Sequence, residues 1–135
     1  MKDSYTLKSL AVLLENNKIS SKELTSEYLK NIESGKELNC YNTVLQEKAL
    51  IDAEKSDERR KSQNPRSKYD GIPIGIKDLF CTKGVTTTAS SKILSNFVPN
   101  YESTVTQKCA DAGLISLGNL NCDEFALGST NKSSF

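Results

Sequence analysis

The sequence predicts an α/β chain in which amino-terminal helices precede a strand–helix–strand unit. Three observations carry that reading. Before residue 62 the apolar residues recur at the helical period. From Gly71 the repeat switches to every second residue, with Ile72, Ile74 and Ile76 alternating with Gly71, Pro73 and Gly75. Farther on, a capped amphipathic stretch leads into a second short apolar run, Leu114 to Gly118.

Taken in order, Thr6 caps a first helix whose Leu7, Leu10, Ala11 and Leu14 share one face, ending near Asn16 and Asn17. Ser20 and Glu23 have capping-box spacing, and Leu24, Tyr28, Leu29 and Ile32 form a stripe until Gly35. These two helices can pack as an antiparallel pair. Cys40 to Val44 reads as extended. Glu47 to Lys61 is rich in good helix formers but offers only Ala49, Leu50, Ala53 and Ile51 as an apolar side, so a surface helix is expected. Ser62 to Asp70, with Asn64-Pro65-Arg66-Ser67 inside it, is polar and aperiodic and reads as a linker. It divides the chain into a helical region, 1–62, and a second part, 63–135. Ser103 caps a helix from Thr104 to Ala112 that Gly113 ends, and the strand after it should pair in parallel with the first through a right-handed crossover. Asn121 and Glu124 then have the spacing of another cap, before a short helix, Phe125 to Leu127, closed by Gly128.

Composition narrows the functional classes. With 135 residues the chain fits one domain, and 36% hydrophobic residues is lean for a self-sufficient core. Eighteen basic and seventeen acidic residues give a net charge of +1, which argues against a nucleic-acid binder. Arg59, Arg60 and Lys61 are balanced by Asp57 and Glu58 and read as a solvated helix end. No stretch approaches the ~20 apolar residues of a membrane span. The start, Met1 to Ser4, lacks the apolar segment of a leader, so a cytoplasmic protein is expected. Cys40, Cys81, Cys109 and Cys122 contain no CxxC pair and read as reduced thiols. The absence of histidine excludes any histidine-dependent triad or metal site within this sequence, leaving Lys, Asp, Glu, Tyr or Cys for proton transfer.

Lys77 is the residue that asks for an explanation. It follows Gly71, Pro73 and Gly75 on the strand face opposite the isoleucines, a face nearly bare of side chains that would let a substrate or another backbone approach. A lysine partly desolvated there would lose its proton more readily and serve as a general base. The same residue also reads as the solvated point where a sheet meets a loop, with Asp78 pairing to it or capping the next turn.

The stretches "YDGIPIGIKDLFCTKGVTTTASSKIL" and "STVTQKCADAGLISLGNLNCDEFALGST" resemble the amidase signature family. Within it they resemble the A subunits of glutamyl-tRNA(Gln)/aspartyl-tRNA(Asn) amidotransferases. The opening "SSKELTSEYLKNIE" is similar to that family's amino-terminal helices. The resemblance implies a helical region followed by the first β-α-β part of a mixed sheet that is incomplete here. It also implies a Ser, cis-Ser, Lys triad in which Lys77 is the lysine. Gly128 and Ser129 match a segment near the family's substrate pocket and are expected as backbone contacts.

The same resemblance implies that the glycine- and serine-rich signature with the nucleophile and the cis-serine lies beyond Phe135. Ser129, Ser133 and Ser134 precede it and lack its setting. A truncated amino-terminal portion, silent as a catalyst alone and poorly soluble, is therefore expected. The complete polypeptide would release ammonia from glutamine. Its B and C partners would complete a heterotrimer, with ATP, Mg and most tRNA contacts at the partner and no cofactor bound by this chain. Two other readings stay open: a portion of a generic small-molecule amidase, and a non-enzymatic module whose helices before Asn64 dock on a partner.

Overall fold

The computed structural model describes residues 5–130 and 132–134; Met1 to Ser4, read above as a polar start, lie outside them. Among the described residues two α-helices come first, followed by strand, helix, strand, helix and strand. Helix α1 spans Leu7–Glu15 and α2 Ser21–Ser34, and both begin in capping boxes, at Thr6 and at Ser20 with Glu23. Each box satisfies amide groups that the helix cannot use itself. Strand β1, Tyr41–Val44, leads into α3, Gln46–Lys61. Strand β2 spans Pro73–Lys77, α4 Thr104–Asp111 with Ser103 as its cap, and β3 Ile115–Leu120. Among the described residues no helix is long and apolar enough to cross a membrane.

The sheet order is β1-β3-β2: β2 pairs with β3 in parallel and β1 with β3 antiparallel, which makes the sheet mixed. The parallel pair follows from the strand–helix–strand pattern; β1 does not, because its partner lies some seventy-five residues later and no local period reports it. Two apolar clusters hold the helices down. Leu10, Leu14, Leu24 and Ile72 bring α1 and α2 onto the start of β2, and Leu29, Ala49, Ala53, Ile115 and Leu117 join α2 and α3 to β3. Burying a leucine as fully as Leu14 or Leu24 contributes about 1.5–3 kcal/mol.

Several expectations change on contact with this packing. Helix α3 is half interior: Ala49, Ala53 and Ser56 are buried while Ile51 is exposed. The segment 62–70 is no free connector. Asp70 at its end is 0% exposed and accepts a two-pronged pair of hydrogen bonds from the Arg59 guanidinium, Nε to Oδ2 at 2.8 Å and Nη2 to Oδ1 at 2.7 Å. Arg60 donates to the Asp70 carbonyl, the Arg66 amide to the Asp70 carboxylate, and Ser67 to the Ala112 carbonyl. Arg59 and Arg60 are thus anchors, not a solvated end. Strands from both sides of this segment share one sheet.

The pattern of Ile72, Ile74 and Ile76 is also broken in space. Ile72 precedes the strand and packs with α1 and α2, whereas Ile74 and Ile76 line a groove of about 320 Å³ bounded by α3 and α4. The register slips between Ile74 and Gly75, where β3 carries the extra residue Leu117.

Candidate functional site

Because β2 and β3 run parallel, their carboxyl ends meet at one end of the sheet, the place where parallel sheets present ligand-binding loops. Lys77 is the last residue of β2 and stands across from Leu120, the last of β3. Its carbonyl accepts from the Leu79 and Phe80 amides at 2.7 and 3.1 Å, so the chain turns sharply there. The Lys77 side chain is exposed and not desolvated, which is the second of the two readings that the sequence left open. Among the described residues no further strand lies beside β2, which forms an edge of the sheet. Nor is the glycine face bare. A Cβ at Gly75 would lie 2.8 Å from the Leu120 side chain, so Gly75 makes room for leucine packing instead of substrate.

Asp78 turns inward and is 0% exposed. It pairs neither with Lys77 nor with a helix end. Its Oδ1 accepts from the Thr88 amide at 2.9 Å and from Asn119 Nδ2 at 3.2 Å; its Oδ2 accepts from the Thr88 hydroxyl and from Asn42 Nδ2 at 2.7 Å. Four donors surround a carboxylate whose burial would otherwise be costly. The hydroxyl-rich loop that follows, Thr86 to Ser91, is drawn under the strand end by these bonds. Ser90 receives a hydrogen from Asn42 and gives its own to Asn121 Oδ1 at 3.0 Å, and the Cys122 amide donates to it at 3.0 Å. Ala89 accepts from the Phe125 amide, and Ser91 donates to Glu124. The loop after β2 and the segment after β3 are therefore stitched together.

That stitched segment holds Gly128 and Ser129. Both are exposed. The expected short helix is only a 3-10 turn, Glu124–Ala126, interrupted by Phe125 at φ 52°, and Asp123 occupies the cap position instead of Asn121. Gly128 does not close a helix: a Cβ there would meet Asp123 Oδ2 at 2.3 Å, so the residue is small because it lies against that buried carboxylate. Asp123 also accepts from the Thr130 amide and from the amide and hydroxyl of Ser133. The structure brings Lys77 and the 121–129 segment to the same end of the sheet. Sequence reasoning missed Asn42 and Asn119 altogether. Only the hydroxyl run "TTTASS" after Lys77-Asp78 hinted at a buried polar network, and the bulge that aims Asn42 has no local signature.

Among the described residues no group of three or more His, Cys, Asp or Glu side chains could hold a metal ion. The groove beneath α3 and α4 does not include Lys77. The model of the family described as Amidase matches residues 23–135. The chain belongs to the amidase family. A relative from Pelagibacter ubique, named as the A subunit of glutamyl-tRNA(Gln) amidotransferase, is 49% identical over 132 residues, 98% of this chain and 27% of its own length. The chain thus spans about a quarter of the curated relatives it matches. Among solved amidase structures, the native peptide amidase of Stenotrophomonas maltophilia superposes with a TM-score of 0.86 at 26% identity, over 96% of this chain and 27% of its own. The A subunit of the Thermotoga maritima glutamyl-tRNA(Gln) amidotransferase superposes with a TM-score of 0.74 at 27% identity, over 99% of this chain and 27% of its own. The incomplete mixed sheet is the part of the amidase fold that these superpositions share.

Proposed function

We propose that this chain carries the catalytic lysine, Lys77, of the glutaminase component of a Glu-tRNA(Gln)/Asp-tRNA(Asn) amidotransferase. The observation that supports it most is the 49% identity to a protein of that name over 132 residues, a span that must include Lys77. In this reading the Lys77 amine takes a proton, through a serine held in a cis peptide, from the serine that attacks the glutamine amide carbon; the proton is passed on to the amide nitrogen, the C–N bond breaks and ammonia leaves, and water then cleaves the acyl-serine ester to release glutamate. Both serines belong to the part of the family's length that this chain does not span. Gly128 and Ser129 line the approach to the amide through their backbone. The ammonia passes to a partner that binds the misacylated tRNA, ATP and Mg, with a third polypeptide completing the cytoplasmic complex.

A second reading, hydrolysis of other amides, draws on the superposition with peptide amidase. One assay separates them. The 135-residue chain alone is expected to release no ammonia from glutamine. Mixed with a polypeptide carrying the remainder of the Pelagibacter relative, it is expected to release ammonia from glutamine in preference to a peptide amide. Preference for the peptide amide would favour the second reading, and turnover by the isolated chain that Lys77→Ala abolishes would overturn the division of labour.

A further inference from the structure

We propose that Asn42 and Asp78 are positioning residues: together they fix the loop 86–91 beneath the end of β2, and so set where Lys77 stands relative to the 121–129 segment. The functional half of this statement rests on the reading of Lys77 given above. The geometric half rests on three observations.

The first is the bulge. The register of β1 against β3 slips between Tyr41 and Thr43, so Asn42 is the residue released from the ladder. A bulge re-aims a side chain, and here it sends the Asn42 amide nitrogen to two acceptors, Asp78 Oδ2 at 2.7 Å and Ser90 Oγ at 2.9 Å. Backbone pairing of β1 needs neither bond, since Tyr41, Thr43 and Val44 supply it. The second is the conformation of the loop. Ala89 and Ser90 both hold left-handed backbone, at φ 50° and 52°, an unfavourable state for non-glycine residues that persists only where surroundings impose it. What imposes it is the ring of bonds from Thr88 to Asp78, from Asn42 to Ser90 and from Phe125 to Ala89. The third is location. Asp78 is the residue after Lys77, and its amide donates to the Leu120 carbonyl at 3.0 Å, while Ser90 grips Asn121 and Cys122. One buried carboxylate and one bulged asparagine therefore connect the strand of the helical region, the lysine-bearing strand and the segment holding Gly128 and Ser129.

Hydrogen exchange on the mixed enzyme tests this without reference to activity. In Asn42→Ala the Thr88 and Cys122 amides should exchange roughly tenfold faster, the effect of losing one hydrogen bond to a charged group. The Leu45 amide, which reports β1–β3 pairing through the Leu117 carbonyl, should not change. The conservative Asp78→Asn should repeat the loop effect. Acceleration confined to Leu45 and the β1–β3 ladder, or none at Thr88, overturns the proposal; so does loss of the whole fold in both Asn42→Ala and the milder Asn42→Thr. In the mixed enzyme the proposal expects Asn42→Ala to lower kcat for glutamine by about tenfold with a smaller change in KM. If Lys77→Ala leaves ammonia release intact, the catalytic reading fails while the exchange result stands. If Lys77→Ala abolishes release but Thr88 exchanges as in the wild type, the positioning role fails alone.

Discussion

Gly118→Val is expected to strip β1 from the sheet, read in the mixed enzyme as loss of exchange protection at the Leu45 amide, which donates to the Leu117 carbonyl. Gly118 lies mid-way along β3, facing Val44 in the β1 ladder, and its φ of 143° is one that side-chain-bearing residues rarely adopt. A Cβ built there falls 2.0 Å from the Thr43 carbonyl oxygen and 3.0 Å from the Val44 Cα. Both obstacles are backbone, so no rotamer change relieves the contact; β1 must leave the sheet. The backbone conformation alone costs about 1–3 kcal/mol. Separating β1 adds the loss of its ladder and of the Asn42 bonds, which together exceed a large share of the roughly 5–15 kcal/mol that holds a domain of this size. Gly84→Ala is the control. That residue also has positive φ, 74°, but a Cβ there meets nothing within 4 Å, so only the conformational cost of about 1 kcal/mol should appear.

Arg59→Ala should destabilise the chain at neutral pH by about 3–5 kcal/mol, the usual cost of removing one partner from a buried ion pair. Urea denaturation measures it. In the wild type, burial by itself would raise the Asp70 carboxyl, but the Arg59 hydrogen bonds and the Arg66 amide outweigh it and hold the group below the usual carboxylate range. A group depressed in the folded state stabilises fully above its unfolded value, and that contribution disappears as pH falls through the folded value. Without Arg59 the burial effect is opposed only by the Arg66 amide and Ser56, so the carboxyl is held down less and the variant loses less stability on acidification than the wild type does. The gap between wild type and variant should therefore narrow steadily on acidification. A constant gap would mean that Arg59 acts by packing and not by charge.

What was legible in the sequence was local. The caps at Thr6, Ser20 and Ser103 are short-range arrangements of hydroxyl and amide groups, and each starts the helix its spacing implies. The parallel pairing of β2 and β3 follows from chain connectivity and handedness. Features settled between distant residues were invisible. Asp70 looked like the end of a polar linker because its partner Arg59 lies a helix-end away and the burial that makes the pair matter is tertiary. Gly75 and Gly128 looked like an open face and a helix stop; both are small because a distant or folded-back side chain, Leu120 in one case and Asp123 in the other, occupies the space. At the site, the resemblance picked out Lys77 and the strand that ends on it, but the polar assembly behind it depends on a bulge in a strand whose pairing no period reveals.

The central claim is that Lys77 is the base of an amide-cleaving enzyme to which this chain contributes. The most direct test is ammonia release from glutamine by the mixed enzyme, comparing wild type, Lys77→Ala and Lys77→Arg, with circular dichroism establishing that all three fold. Both variants should lose turnover by about 10³-fold or more, arginine included, because its guanidinium keeps its proton and cannot act as a base. Turnover within a few-fold of wild type in either variant would contradict the claim.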